Sequence, residues 1–330
     1  MANLLQQLLA ERDYLIADGA TGTNLMGMGL PAGQAPDLWN LDEPANVARL
    51  HESFLEVGAD IILTNTFGAN RCRLGMEKAE ERTVEVNQAG VAIAREVANK
   101  AGRPVVVAGS MGPTGEIMEP LGPLTPDRAE KVFAEQAEAL ARGGVDVIWI
   151  ETIYAFGELT AAVAAATRTG LPVTSTMTFD TNGRTMMGDS PEEAARFIQT
   201  LPHEITAYGA NCGVGPATLV DAVKGLRRGG ASGDVIIAKG NCGVPEMIDG
   251  EVVFQGDEEI MASYARLARD AGARIIGGCC GTSPKHLAAI VRSLEGYTPG
   301  APPEDAAIEE ALGPIDRSQG RKGRRKSKRR

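Results

Sequence analysis

Ala271-Gly272-Ala273-Arg274-Ile275-Ile276-Gly277-Gly278-Cys279-Cys280-Gly281-Thr282 contains the unit from which the chain is built: a glycine stop, a short branched apolar run, then a polar cluster. Glycine at the end of a helix takes the left-handed conformation at no Cβ cost. An apolar run without alternation fits a parallel strand covered on both faces. The same order recurs at Val57-Gly58-Ala59-Asp60-Ile61-Ile62 and Gly143-Gly144-Val145-Asp146-Val147-Ile148. Runs of this kind fall at Tyr14 to Asp18, Asp60 to Asn65, Pro104 to Gly109, Asp146 to Glu151, Pro172 to Thr178, Ile205 to Asn211, Val235 to Lys239 and Arg274 to Gly278.

Between the runs lie segments of helical period, as in Val47, Leu50, His51, Phe54 and Leu55. Ser190-Pro191-Glu192-Glu193 is a capping box with proline at the first helical position, and Thr125-Pro126 and Ser283-Pro284 repeat the cap-then-proline entry. Eight βα units predict an α/β chain folded as a single (β/α)8 TIM-type barrel over residues 1–296. A doubly wound open sheet is the other architecture, but no Gly-x-Gly-x-x-Gly follows the first strand.

Composition agrees. Forty glycines and 14 aromatics in 330 residues point to many tight turns and a core of small aliphatics. Glu11, Arg12 and Asp13 directly follow the apolar start, which excludes a signal peptide, and no apolar run reaches membrane-spanning length. A cytoplasmic, reducing setting is expected, where five cysteines serve as ligands, catalytic groups or core residues rather than disulfides. Charge is uneven. Nine of the 33 Lys and Arg fall in residues 317–330, which hold no acid, so residues 1–316 carry 24 against 43 acids, a net −19. Residues 297–330 read as a Pro-rich and acidic linker, a short helix at Glu304 to Leu312 and a basic tail, expected to be disordered.

In a barrel, chemistry belongs at the C-terminal ends of the strands. There the sequence places Asp18-Gly19-Ala20-Thr21-Gly22, Thr64-Asn65-Thr66, Gly109-Ser110, Glu151-Thr152, Thr176 to Thr178, Asn211-Cys212, Asn241-Cys242 and Cys279-Cys280. Cys212 lies 67 positions before Cys279, and the three sulfurs Cys212, Cys279 and Cys280 would share one mouth. Three protein ligands with an open fourth position is the pattern of catalytic zinc. Buried cysteine also acts as a small hydrophobe, and a strained vicinal disulfide is the remaining alternative. Cys242 echoes Cys212 but is left out of the ligand set, and Cys72 reads as structural.

A zinc site with three thiolates carries net negative charge, which suits activating a thiol substrate more than generating hydroxide. Asp18 and Glu151 read as a clamp for an ammonium group, and the N–H groups of Gly19 and Ala20 as a nest for a carboxylate. Together these describe an α-amino acid bearing a thiol. The loops Met111 to Leu124 and Asp180 to Asp189 are candidate lids or docking surfaces over the mouth.

Asp18-Gly19-Ala20-Thr21-Gly22-Thr23, Thr64-Asn65-Thr66-Phe67, Glu151-Thr152, Gly209-Ala210-Asn211-Cys212 and Gly277 to Thr282 together resemble the homocysteine S-methyltransferase family. That fold is shared by the homocysteine domain of cobalamin-dependent methionine synthase and by betaine-homocysteine methyltransferase. The resemblance runs from about Leu15 to Leu294 and implies zinc on Cys212, Cys279 and Cys280. It implies L-homocysteine contacts at Asp18, Thr64 and Glu151, with Asn211 in the same motif as Cys212.

The methyl donor is less defined. In betaine-using members a tyrosine of an aromatic cage follows the Thr-Phe pair, and this chain has Gly68 there; Trp39 and Tyr154 remain as possible cage members. Thr64-Asn65-Thr66-Phe67 and Asp180-Thr181-Asn182-Gly183-Arg184-Thr185 look like the cobalamin-dependent type, yet no length remains for a corrinoid module or a folate barrel. The expected donors are a methyl-corrinoid protein, with separate corrinoid and folate proteins as partners, or a small onium compound, betaine or S-methylmethionine. Two other functions are compatible with the sequence: nucleic-acid binding through the basic tail and thiol redox chemistry at Cys279 and Cys280.

Overall fold

The computed structural model describes residues 3–248 and 251–317. All eight runs form strands, though the outer residues of several are trimmed: β1 Leu15–Ile16, β2 Ile61–Leu63, β3 Val106–Met111, β4 Val147–Ile153, β5 Val173–Met177, β6 Ala207–Cys212, β7 Ile236–Gly240 and β8 Ala273–Gly278. Each pairs in parallel with its neighbours, in the order β1-β8-β7-β6-β5-β4-β3-β2. The ring closes where Ala17 bridges Ile61, with Asp18 N donating to Ile61 O at 3.0 Å. This is a TIM-type (β/α)8 barrel.

One helix after each strand covers the outside: α1 Pro44–Glu56, α2 Thr83–Lys100, α3 Pro126–Gly143, α4 Phe156–Thr167, α5 Pro191–Ile198, α6 Pro216–Gly229, α7 Glu258–Asp270 and α8 Pro284–Leu294. The expected caps form. Thr125 accepts from Arg128 N, Ser190 and Glu193 close a capping box, and Ser283 does so with His286. Ile16, Ile62, Val107, Ile148 and Ile276 face this helical layer. Their neighbours Leu15, Ala17, Ile61, Leu63, Val147, Trp149, Ile237 and Ile275 fill the barrel interior. The alternation is that of parallel strands buried on both faces.

A helix not anticipated from sequence, Leu4–Glu11, closes the N-terminal end. Asn3 caps it, and Leu5 and Leu8 pack into the interior cluster. An antiparallel hairpin, Pro245–Ile248 with Glu251–Phe254, interrupts the path from β7 to α7 and was also unanticipated.

The short helix expected at Glu304 to Leu312 forms as Asp305–Leu312, but residues 297–317 pack on the barrel where a disordered linker was expected. Helix Asp305–Leu312 lies across α6 and α7 with Ile308 fully buried. Tyr297 donates to Asp270 at 2.9 Å, Lys224 pairs with Asp305 at 2.9 Å, and Arg317 pairs with both Asp221 and Asp305. A buried isoleucine and several polar ties offset the entropy of ordering the segment, an offset composition does not reveal. The disorder expected of the basic run past Arg317 lies outside the described residues. Among those described, no helix is long and apolar enough to cross a membrane.

Candidate active site

The C-terminal end of the barrel departs from regular strand geometry. Two non-glycine residues there have left-handed backbone, Thr152 at φ 63° and Cys212 at φ 61°, a conformation that costs on the order of 1–3 kcal/mol each and persists only where surroundings impose it. Tyr208 and Ala210 of β6 face the helices, and simple alternation would send Cys212 the same way. The left-handed turn re-aims it. At the end of β8, glycine is required by proximity: a Cβ on Gly277 would lie 2.6 Å from Ala17 O, and one on Gly278 2.2 Å from Thr282 Cγ2. Cys279 N then donates to Gly240 O at 2.7 Å, holding the cysteine pair against β7.

The sulfurs of Cys212, Cys279 and Cys280 converge, all within 4.8 Å of one another, with Cys212 and Cys280 3.9 Å apart. Tetrahedral zinc about 2.3 Å from each sulfur would space them by about 3.8 Å, so the cluster fits. Hydrogen bonds from Cys279, then Cys280, pull the Cys212 thiol far down toward thiolate. The same contacts with Cys212 push the thiols of Cys279 and Cys280 up. Such a cluster holds one negative charge readily and the others only with a cation. Nearby, Asn241 donates to Gly213 O at 2.7 Å while its own Oδ1 is buried without a hydrogen-bond partner among the described residues. The Asn241 side chain also hydrogen-bonds Cys212, which favours its thiolate.

Asn211 is a strut. Its Oδ1 accepts from Thr152 N at 2.9 Å and Thr176 Oγ1 at 2.7 Å, and its Nδ2 donates to Thr152 Oγ1 at 2.7 Å and Cys279 Sγ at 3.7 Å. It is 1 % exposed and lies behind the cavity wall. Asn211 therefore fixes the strained turn of β4 and orients a sulfur.

Over the sulfurs opens a cavity of about 390 Å³, lined among others by Gly19, Ala20, Thr64, Phe67, Ser110, Glu151, Lys239 and the three cysteines. A register shift between Ile150 and Ile153 marks the end of β4 at Glu151. Burial pushes the Glu151 carboxyl up to about 7, opposed by the charge of Lys239 and a 2.5 Å hydrogen bond from Ser110 Oγ. Thr64 is tied to Thr66 Oγ1 at 2.6 Å and accepts from Ser110 N at 3.1 Å.

Asp18 and the Gly19-Ala20 turn are both engaged within the protein. Asp18 is 1 % exposed and close enough to Glu151 for its charge to act there. Its Oδ2 accepts from Leu63 N at 2.7 Å and its Oδ1 is ion-paired with Lys239 Nζ at 2.6 Å. The nest at Gly19 and Ala20 is also half closed, because Ala20 N donates to Thr282 O at 3.0 Å. Sequence reading placed Ser110 and Lys239 at strand ends but gave neither a role in the site. The signal for Lys239 was present: it stands two residues after Ile237 at the end of β7, on the inward face.

Cys242 is fully buried, donates to Gly256 O at 3.2 Å and faces His286, and burial pushes its thiol up to about 12. It stays outside the sulfur cluster, as expected. A Cβ on Gly68 would come 2.8 Å from Asp37 Oδ2. Trp39 is buried in the core, and neither it nor Tyr154 lines the cavity, where Phe67 is the aromatic present. No aromatic cage surrounds the mouth among the described residues. Met26, Met76, Ile117, Leu121, Met186, Met187 and Val244 are the exposed large hydrophobics among the described residues; all lie on connections from a strand to the next helix, and Met26 lines the cavity.

Comparison with known proteins gives consistent results. The profile described as homocysteine S-methyltransferase matches residues 15–294. Methionine synthase of Mycobacterium tuberculosis is 31% identical over 306 residues, covering 88% of this chain and 25% of that protein. Methionine synthase of Mycobacterium leprae is 31% identical over 316 residues, covering 89% and 26%. The chain thus spans about a quarter of the length of these curated relatives. Among solved structures, the metallated form of the homocysteine methyltransferase MmuM from Escherichia coli superimposes with a TM-score of 0.73 at 22% identity, covering 87% of this chain and 99% of that one.

Proposed function

The chain belongs to the homocysteine S-methyltransferase family, and on that premise we propose that it transfers a methyl group to the thiol of L-homocysteine, giving L-methionine, with zinc held by Cys212, Cys279 and Cys280. The observation that carries the reading is the convergence of three sulfurs beneath a cavity that also presents Glu151 and Lys239. A zinc ion there would lower the proton affinity of the substrate thiol, so that a thiolate is presented at neutral pH.

The protein's own residues supply the rest. Glu151 takes the ammonium of the amino acid, Thr64 lends a hydroxyl at the cavity wall, and Asn211 keeps Cys279 and the Glu151-Thr152 turn in place. Asp18 acts from behind, through Lys239. The substrate sulfur forms its bond to the methyl carbon as the bond between carbon and donor breaks; the bonding pair leaves with the donor, and the thiol proton goes to solvent.

For the donor, a methyl group presented by a separate corrinoid protein fits best. Among the described residues Phe67 is the one aromatic lining the cavity, too few for a cation cage, whereas exposed methionine, isoleucine and leucine on the strand-to-helix connections at this end suit a protein docking over it. The five cysteines, none in a disulfide, suit a reducing compartment such as the cytoplasm. Metal-replete protein and L-homocysteine, offered in turn a methyl-corrinoid protein, free methylcobalamin, betaine and S-methylmethionine, test the reading by methionine formed. Methionine from the corrinoid protein is expected. Turnover with betaine or S-methylmethionine alone would transfer the donor assignment to that compound, and no methionine from any donor would end the reading.

A further inference from the structure

Eight of the 13 residues from Ser318 to Arg330 are Lys or Arg and none is acidic, whereas residues 1–316 carry a net −19. The packing of the segment before them fixes where this basic run begins. Barrel helices run back from the C-terminal ends of the strands, so α8 ends at the closed end, where Tyr14 donates to Leu294 O at 3.0 Å. From there the chain climbs to the mouth. Tyr297 and Gly300 N donate to Asp270, the last residue of α7, at 2.9 and 2.7 Å, and Lys224 of α6 holds Asp305. Leu312 and Ile315 pack against the core, and Asp316 N donates to Thr218 Oγ1, in the first turn of α6, at 2.9 Å. Thr218 lines a small pocket together with Cys212. A Cβ on Gly183, in the connection after β5, would come 3.1 Å from Asp316 O. Arg317, paired with Asp221 and Asp305, is thereby pinned at the open end. A basic run that only needs water could leave from the closed end; an ordered segment with an entropy cost to offset brings it to the mouth instead.

Three of the exposed large hydrophobics stand about that point. Met186 and Met187 share the connection of Gly183, and Val244, after β7, lies against the start of α6, where a Cβ on Gly215 would come 3.1 Å from its Cγ2. Exposed methionines suit an adaptable protein contact. A nucleic acid would set phosphates against these apolar side chains and against a body of net −19. A protein offers an apolar face to the methionines and carboxylates to the basic run.

We propose that residues 318–330, with Met186, Met187 and Val244, form the docking surface for an acidic protein, which on the donor reading above is the carrier of the methyl group. Alone, the body would repel such a partner; eight cations rooted at Arg317 reverse the sign of the charge beside the mouth. A run of 13 residues reaches at most about 45 Å, so that charge stays near the open end. The basic run draws the partner in, and the apolar side chains seat it over the cavity.

Metal-replete protein with L-homocysteine is given two donors, a strongly acidic methyl-corrinoid protein and free methylcobalamin. The full chain is compared with a variant ending at Arg317 and with one in which the eight Lys and Arg of 318–330 are changed to Gln, which keeps the length and removes the charge. Steering of this kind multiplies on-rates by about 10- to 1,000-fold, so both variants should raise KM for the corrinoid protein by about 10-fold or more at low salt. That gap should close between about 50 and about 300 mM salt, as the Debye length shrinks. Turnover of free methylcobalamin and the thermal midpoint should stay at the full-chain values. Equal KM in all three chains, or a loss shared with free methylcobalamin, would overturn the proposal. A short labelled RNA that binds the full chain and not the truncated one, with KM for the corrinoid protein unchanged, would assign the run to nucleic acid instead. If the corrinoid protein gives no methionine while free methylcobalamin, betaine or S-methylmethionine does, the donor reading falls and this proposal with it; if it gives methionine at equal KM, the docking assignment alone falls.

Discussion

At the N-terminal end of the barrel, apolar side chains alternate regularly between interior and helical layer, and a leucine-rich helix, Leu4–Glu11, seals the opening. At the C-terminal end the chain carries left-handed Thr152 and Cys212, three crowded sulfurs, a buried ion pair and an apolar rim open to solvent. Each of these features costs stability where it stands. A fully packed closed end supplies a rigid frame on which strained backbone and desolvated charge persist, and this division explains how one fold holds reactive groups in fixed positions.

The sharpest break in that comparison is Cys279→Ala. Removing one of three ligands should abolish both zinc retention after dialysis, read by elemental analysis, and homocysteine-dependent methionine formation; a variant retaining both would show that the sulfur cluster is not the site. At the closed end, Leu5→Ala should destabilise by about 2–5 kcal/mol, as large-to-small changes in a core do, while zinc stoichiometry stays at the wild-type value. Denaturant unfolding with metal analysis checks it, and zinc loss at that end would mean the two ends are not separable.

A smaller effect concerns pH. Because burial raises Glu151 to about 7, its carboxyl is mostly neutral at pH 6 and mostly ionised at pH 8. Homocysteine affinity should rise with pH across 7, by up to about tenfold per unit on the acidic side, and Glu151→Gln should flatten that rise. The same raised value works in the other direction on folding: it favours the folded state fully below the ordinary carboxylate range, and that contribution disappears as pH rises through about 7. Smallest in stability is Met186→Ser with Met187→Ser on the rim, expected within about 0.5 kcal/mol of wild type. Transfer from a protein-borne methyl donor should slow in that variant while homocysteine binding stays unchanged; unaltered transfer would mean this part of the rim touches no partner.

Much of the frame was legible because it rests on local physics. Glycine stops such as Gly58, Gly144 and Gly272, all at positive φ, and proline-led caps such as Ser190-Pro191 follow from backbone sterics and orphan N–H groups within a few residues. The N-terminal plug was missed because an eight-residue amphipathic segment does not state what it packs against. In the 297–317 segment the short helix was legible, but its docking was not, because that comes from partners at Thr218, Asp221, Lys224 and Asp270, remote in sequence.

The site divides in the same way. That Cys212, Cys279 and Cys280 stand at strand ends, and so at one mouth, follows from the sequence, since eight βα units close only one way and strand ends then meet. Which carboxylate is free does not. Asp18 and Glu151 look equivalent as residues at strand ends, yet a partner 221 positions away occupies Asp18 and leaves Glu151 facing the cavity. A buried charge is settled by the atoms within about 3 Å of it, and only the closed barrel brings those atoms together. The sulfur motif was thus set by the chain alone, whereas the charges lining the cavity beside it were decided by the tertiary structure.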